Sequence, residues 1–542
     1  MYGKHIGLIL ILLLALILRF WQLGQNPPGL HADEALTGYT AYSLYKTGLD
    51  LHGNFNFFSL SDTNIGGSYP PLYSYILIPF IKIFGLNLFV DRLPSAVFGV
   101  LSVLAVFYIV KKLLKSEKIA LLSSFLFALN PWSIHLSRQG LLESISLFFV
   151  LIGVLFFLYF EKRPLFLILS ALFFGFSLYA YDAPRLFLIF LIPMIIILYK
   201  DKLLKIKKYS LTSLILLCVF YSLIFFNLAK GELNEYRRSS MLNFEQVSKV
   251  VDLERTMTKS PLWLSSFFHN KLTVSLNNTI TNYFNSFSVN WFFVNGSGNL
   301  QQAVARHGEF YFFELPFFFI GIYLMFRDKR KIALFFLFWM FAGALPGGLS
   351  KGSYVYRSVH VLPIPIIFSS YGIIYFWTAL KKRRVILRYT AKLLLTVISV
   401  MYISSYLFTY FYDYPIYASD RWAKEQNETI AYAISQKNSY SKIFIDGGEA
   451  WATQFAFHKI LNPNIYQNAY KNKQVVNNTE VLVINNFYFG NYNFDKNKSL
   501  SYYFPKGSLL VTGNLDFPKD KLLKTFSKYK DIQVIFRVYE VM

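Results

Sequence analysis

Eleven apolar blocks, separated by short tracts of Lys and Arg, constrain this chain more than any other feature of its sequence. A backbone in hydrocarbon must satisfy its own polar groups, so such blocks become helices that span a bilayer. With 54% hydrophobic and 15% charged residues over 542 positions, a water-exposed globule of this size is excluded. The formal net charge of +24 comes from 54 Lys and Arg against 30 Asp and Glu. Those cations flank the apolar blocks, which points to a membrane surface and not to nucleic acid. The single cysteine, Cys218, lies inside an apolar run, so neither an intramolecular disulfide nor a Cys-based metal cluster is available.

The expected spans are Ile6 to Leu23, Leu93 to Val110, Ile119 to Trp132, Leu141 to Phe160, Leu165 to Tyr179, Leu186 to Tyr199, Leu211 to Leu228, Phe310 to Phe326, Ile332 to Leu345, Val359 to Leu380 and Val385 to Tyr410. The first apolar stretch, Ile6 to Leu18, has a signal-peptide length but runs into Arg19-Phe20-Trp21 without a small-residue cleavage site, and reads as a retained anchor. With the N-terminus in the cytoplasm, five inner loops (around 111–118, 162–163, 200–208, 327–331 and 381–388) hold 20 Lys and Arg. The short outer loops hold only Arg138, Arg185, Lys351 and Arg357, an asymmetry that fixes orientation. The apolar run Pro71 to Gly85 is too short for a span and contains Lys82, so it reads as a helix at the outer membrane surface.

This scheme gives a transmembrane domain over 1–412 with outer loops at 24–92 and 229–309, and an extracytoplasmic α/β domain over 413–542. In the tail, β-rich runs (Lys442 to Asp446, Val481 to Asn485, Ser508 to Thr512, Ile532 to Tyr539) alternate with helix-like stretches at Ala418 to Gln436, Glu449 to Ile460 and Lys519 to Tyr529. The Asp446-Gly447-Gly448-Glu449 segment reads as a turn.

The uncommon residues gather at the outer ends of the spans: Asp33 and Glu34, Arg138 and Glu143, Asp182 and Arg185, and Arg357 with His360. Ionisable groups at membrane depth are costly unless paired, so several on one face suggest a shared site for an anionic or lipid-borne substrate. Structural alternatives stand beside each. Asp33 fits the N-cap of a helix from Glu34 to Thr47 that stops at Gly48. Glu143 fits a pair with Arg138, Asp182 fits a local pair with Arg185, Arg357 fits an interface anchor, and His360 fits a packed histidine better than a metal ligand.

At these residues the chain resembles the broad bacterial form of glycosyltransferase family 39, the protein O-mannosyltransferase and aminoarabinose-transferase group, with the GT-C fold. The resemblance rests on HADEALTGYTAYSLYKTG (His31 to Gly48), YPPL (Tyr69 to Leu72), DRLPSAVFG (Asp91 to Gly99) and SRQGLLES (Ser137 to Ser144). NYFNSFSVNWFFVNG (Asn282 to Gly296), followed by Gly308-Glu309, resembles an outer-loop pattern of bacterial members. Tyr69 stands where the family usually has His or Lys, and Glu143 where mannosyltransferases often have Asp.

The resemblance implies a GT-C-like bundle of about eleven helices that transfers one sugar from a polyprenyl-phosphate donor to an acceptor hydroxyl of a lipid, glycan or protein, at the outer face and with inversion. Asp33, with Glu34 beside it, is then the expected general base. Arg138 or Arg357 would hold the departing phosphate, Glu143 would hold Arg138 or a divalent cation, and Tyr69, Asp182 and Arg185 would complete the substrate side. No other cofactor is implied, and the metal is left open. A lipid-linked glycan transporter or flippase is the rival reading, but it should show repeats with charges near the midplane. An oligosaccharyltransferase of this fold should carry Trp-Trp-Asp, which the sequence lacks.

Overall fold

Six helices are long and apolar enough to cross a membrane among the described residues: Leu88–Leu114, Leu142–Tyr159, Ala183–Phe226, Phe312–Gly348, Val359–Leu380 and Val385–Tyr417. The computed structural model describes residues 3–62, 68–227, 244–350, 354–495, 498–513, 515–529 and 532–542. The expected outer cation Lys351 and the start of the 229–309 loop lie outside them.

The two longest, Ala183–Phe226 and Phe312–Gly348, exceed a single crossing, and both break at a basic tract. A continuous helix of 44 residues would extend roughly 66 Å, twice the hydrocarbon thickness. The backbone leaves helical geometry at Tyr199, and a 3₁₀ turn at Leu204–Ile206 separates Ala183–Leu203 from Lys207–Asn227. In Phe312–Gly348 the break is at Lys329, inside the 327–331 cation cluster. Charged side chains cannot stay in lipid, so the chain turns where they occur. The helix Leu72–Phe84 has only 13 residues, or about 20 Å, and does not reach the length of a span.

The chain forms two compact units. One comprises Met1–Arg19, Ser95–Ser137 and Leu142–Leu407; the other comprises Phe20–Pro94, Arg138–Leu141 and Phe408–Met542. The first contains most of the long apolar helices. The second joins the first-loop residues to the whole C-terminal region, a grouping across more than 300 positions that hydropathy does not signal.

In the second unit, the short strands β1 (Leu60–Ser61) and β2 (Ser68–Tyr69) pair antiparallel. The C-terminal region carries a seven-stranded sheet built from β3 (Ile443–Asp446), β4 (Gln474–Val476), β5 (Thr479–Ile484), β6 (Phe487–Gly490), β7 (Leu509–Thr512), β8 (Lys521–Lys528) and β9 (Gln533–Glu540). Its order is β4-β5-β6-β3-β7-β9-β8, with β3 parallel to both neighbours and the remaining pairs antiparallel. Central β3 is buried on both faces, which explains its continuous apolar run.

The helices at Lys424–Ser435 and Gly448–Lys459 fall where the sequence suggested. The expected helix over Lys519 to Tyr529 is instead strand β8, paired with β9 through Phe526 opposite Phe536. Edge-strand pairing overrides the weak helical pattern there.

Candidate functional site

The site is built around the first turn of the helix Ala32–Thr47, in the second unit. His31 is extended (φ −66°, ψ 155°) and caps this helix. Its Nδ1 accepts the Asp33 N–H at 3.1 Å, and Glu34 Oε2 accepts the His31 N–H at 3.2 Å, a reciprocal capping box. The cap is therefore His31 and not Asp33, a correction to the sequence expectation. At the other end Gly48 adopts φ 73° and closes the helix, as read from sequence.

Asp33 and Glu34 point about 100° apart on the helix, and their environments diverge accordingly. The Asp33 side chain is 47% exposed, with Oδ2 3.5 Å from His31 Nδ1. Glu34 is fully buried. Arg92, also fully buried, donates from Nε to Glu34 Oε1 at 2.7 Å and from Nη2 to Oε2 at 2.8 Å. Its other N–H groups reach Leu23 O at 3.1 Å, Pro27 O at 2.8 Å and Gly29 O at 2.8 Å. All five guanidinium donors are thus used. The Gly140 N–H adds a fourth donor to Glu34, at 2.9 Å on Oε1. The Glu34 carboxylate is saturated, so it fixes the geometry of three chain segments and has no lone pair in reach of a substrate proton.

Glycine is required where these segments meet. A β-carbon at Gly29, which has φ 84°, would lie 2.5 Å from Trp422 O. One at Gly140 would lie 2.0 Å from Asp91 Oδ2. Asp91 is fully buried, and neither carboxylate oxygen has a hydrogen-bond partner among the described residues. Its backbone carbonyl accepts the Tyr73 hydroxyl at 2.5 Å.

Arg138 is also fully buried. Its Nη2 donates to Asn26 O at 2.9 Å, and its guanidinium carbon lies 5.6 Å from the Tyr410 ring centre and 5.1 Å from that of Phe411. Tyr69 is buried with its hydroxyl 3.0 Å from Ser74 Oγ, and burial pushes that hydroxyl's pKa up.

The C-terminal region packs directly on the helix Ala32–Thr47 within this unit. Tyr39 Oη donates to Leu461 O at 3.1 Å, Gln454 Nε2 to Leu30 O at 2.9 Å, and Gln467 Nε2 to Ser43 Oγ at 3.1 Å. His52 stacks on Tyr470 with ring centres 3.6 Å apart and shares a 2.6 Å hydrogen bond with Glu449, the last residue of the Asp-Gly-Gly-Glu turn.

The remaining expected residues lie in the first unit. Glu143 is buried in the first turn of Leu142–Tyr159. Asp182 and Arg185 form a 2.8 Å ion pair, and Arg185 Nε also donates to Leu178 O at 3.1 Å. Arg357, half-buried, donates from Nη1 to Ser350 Oγ at 2.8 Å. His360 is buried, stacked on Phe187 at 5.0 Å and 3.2 Å from Ser146 Oγ, the packed environment anticipated for it. Burial raises the Glu309 pKa to about 8, although Oε1 accepts the Ser297 N–H at 3.2 Å. Among the described residues no group of three His, Cys, Asp or Glu side chains is arranged to hold a metal ion.

Asp91, Arg92 and Gly140 lie inside the motifs DRLPSAVFG and SRQGLLES, which carry the family resemblance but give these three residues no individual role. Arg92 carried a usable signal, since an arginine at the mouth of an apolar run must find a buried partner. No local pattern shows that Asp91 and Gly140 meet, because their closeness arises only when the first loop meets residues 138–141.

Residues 9–230 match the model of the family described as Dolichyl-phosphate-mannose-protein mannosyltransferase. No curated protein matches the sequence. In fold the chain is similar to ArnT from Cupriavidus metallidurans bound to undecaprenyl phosphate, with TM-score 0.53 and 11% identity over 98% of this chain and 97% of that one. It is also similar to the archaeal oligosaccharyltransferase AglB from Archaeoglobus fulgidus in complex with an inhibitory peptide and a dolichol-phosphate, with TM-score 0.53 and 12% identity over 84% of this chain. The chain spans 64% of the AglB length. The resemblance carried by the first-loop motifs thus extends to the GT-C fold as a whole, in a chain with several helices fit to cross a membrane.

Proposed function

We propose that this chain is an integral-membrane glycosyltransferase that moves one sugar from a polyprenyl-phosphate donor to an acceptor hydroxyl of a lipid, glycan or protein at the outer face of the cell membrane. The observation that carries the reading is the contrast between two adjacent carboxylates: Asp33 half exposed on a rigid helical turn, Glu34 locked beneath it by Arg92. A general base must be reachable and held still, and Asp33 meets both conditions.

In the proposed reaction the acceptor oxygen attacks the anomeric carbon while its proton passes to Asp33. The bond from that carbon to the phosphate oxygen breaks, and polyprenyl phosphate leaves as the anion, giving inversion. Arg357, half-buried and held through one nitrogen by Ser350, is the candidate partner for the leaving phosphate. Arg138, buried against Tyr410 and Phe411, is assigned to positioning through Asn26, and Glu34 to positioning through Arg92. Tyr69, Glu143, Asp182 and Arg185 are proposed to border the substrate path. Eleven spans, a cytoplasmic N-terminus and an extracytoplasmic C-terminal region complete the reading, supported by the 20 to 4 division of basic residues.

The test uses purified protein in lipid nanodiscs with a panel of polyprenyl-phosphate-linked hexoses and pentoses. Asp33→Asn should lower transfer by about 10² to 10⁴ with donor binding retained. Full transfer by the folded Asn variant would remove Asp33 as the base.

A further inference from the structure

A cavity of about 330 Å³ opens between the helices Leu142–Tyr159, Leu165–Ala180, Ala183–Leu203 and Lys207–Asn227, all within the first unit. Twelve of its seventeen lining residues are apolar, three are Ser and two are Lys; none is acidic. Its volume falls in the range of small-molecule sites, at the lower end of roughly 300 to 1,000 Å³.

The two lysines lie at one end. Lys200 and Lys207 flank the 3₁₀ turn Leu204–Ile206, whereas Leu217, at the far end, stands ten residues along the helix from Lys207, about 15 Å away. The cavity is therefore an elongated apolar slot with a cationic end, on the basic tract 200–208. Lys202 is engaged by Glu161 at 2.8 Å, and neither Lys200 nor Lys207 has an anionic partner among the described residues.

The serines add a chemical detail. Ser170 Oγ donates to Gly153 O at 2.7 Å and Ser210 Oγ to Leu203 O at 2.9 Å, so each is satisfied by a carbonyl of the helix that precedes its own. Ser213, 5% exposed, has no hydrogen-bond partner for its hydroxyl among the described residues. It sits about 9 Å along the helix from Lys207, between the cationic end and the apolar depth. A buried hydroxyl without a partner calls for an acceptor on whatever fills the slot.

We infer that this slot binds one acyl chain of an anionic glycerophospholipid, with its phosphate at Lys200 and Lys207 and an ester carbonyl on Ser213. An apolar chain fits the slot, the lysines supply the charge complement, and the ester supplies the acceptor that Ser213 lacks. A polyprenyl phosphate offers charge and chain but no ester. This inference does not depend on the transfer reaction proposed above.

Native mass spectrometry of the full chain, with phosphatidylglycerol and phosphatidylcholine of identical acyl chains in competition, tests it. The wild type should retain phosphatidylglycerol several-fold over phosphatidylcholine, and the K200A/K207A double variant should lose that preference. Ala171→Trp, which fills the slot, should lower retention of both lipids, and Ser213→Ala should weaken retention of the ester lipid relative to its ether-linked analogue. Equal retention of the two lipids by the wild type, or a preference that survives K200A/K207A, would overturn the inference. So would undecaprenyl phosphate displacing phosphatidylglycerol in a Lys200- and Lys207-dependent way, since the occupant would then be the isoprenoid. A melting temperature for each variant near that of the wild type excludes misfolding as the cause of any loss.

Discussion

Neutralising Glu34 and neutralising Asp33 are the same chemical change at adjacent positions, and the geometry assigns them opposite consequences. In Glu34→Gln the side chain keeps one acceptor oxygen but presents an amide NH₂ either to Arg92 Nε and the Gly140 N–H or to Arg92 Nη2 and the His31 N–H, all of which are donors. At least one hydrogen bond becomes a donor-donor clash, and the buried Arg92 loses its carboxylate partner. Breaking a buried ion pair by removing one member costs about 3 to 5 kcal/mol. In Asp33→Asn a half-exposed carboxylate in the first helical turn is lost, worth about 0.3 to 1 kcal/mol through the helix dipole. For a compact unit of this size each kcal/mol moves the melting temperature by roughly 2 to 4 °C, so Glu34→Gln should melt at least about 6 °C below wild type and Asp33→Asn within a few degrees. Intrinsic-fluorescence melts in nanodiscs, read beside transfer activity, measure both. Adding Arg92→Met to Glu34→Gln should recover on the order of 1 kcal/mol or more relative to the sum of the single changes, because no unpaired charge remains buried. A Glu34→Gln protein that melts like wild type would refute the clamp, and an Asp33→Asn protein that melts as low as Glu34→Gln would refute the division of roles.

Gly140→Ala should destabilise by about 1 to 3 kcal/mol, since its β-carbon would meet Asp91 Oδ2 at 2.0 Å, and Asp91→Ala in the same chain should restore most of the loss in a double-mutant melt series. Glu309 gives a pH signature: its pKa is about 8 in the folded chain against an ordinary 4.5, so the folded state holds its proton more tightly. Its contribution is fully present below pH 4.5 and is lost as pH rises to about 8, at up to roughly 1.4 kcal/mol per pH unit. The melting temperature of Glu309→Gln should therefore fall less between pH 5 and 8 than that of wild type, and parallel curves would count against the assignment. Arg357→Lys should weaken donor binding and Arg357→Ala weaken it further, by titration with the polyprenyl-phosphate sugar, because Lys keeps the charge but not the planar fork. In a Cys218→Ser background, cysteines at Lys118 and Asn438 should react with an impermeant thiol reagent from opposite sides of the membrane; labelling from one side would end the eleven-span scheme.

The sequence alone determined the membrane character, the positions where long helices break and most of the tail strands. Each of these depends on local composition: apolar blocks must avoid water, Lys and Arg must leave lipid, and alternating or continuous apolar runs mark strands. Asp33 and Glu34 were also legible, as uncommon carboxylates beside a helix start. Their difference was not. Only tertiary packing brought Arg92, 58 positions away, and the Gly140 N–H, 106 positions away, onto Glu34 and left Asp33 half exposed. The same holds for His31, whose Nδ1 took the capping role usually filled by Asp, and for β8, whose helical pattern yielded to pairing with β9. A carboxylate's role is set by which donors surround it, and donors contributed by distant segments leave no mark on the local pattern of the residues they engage.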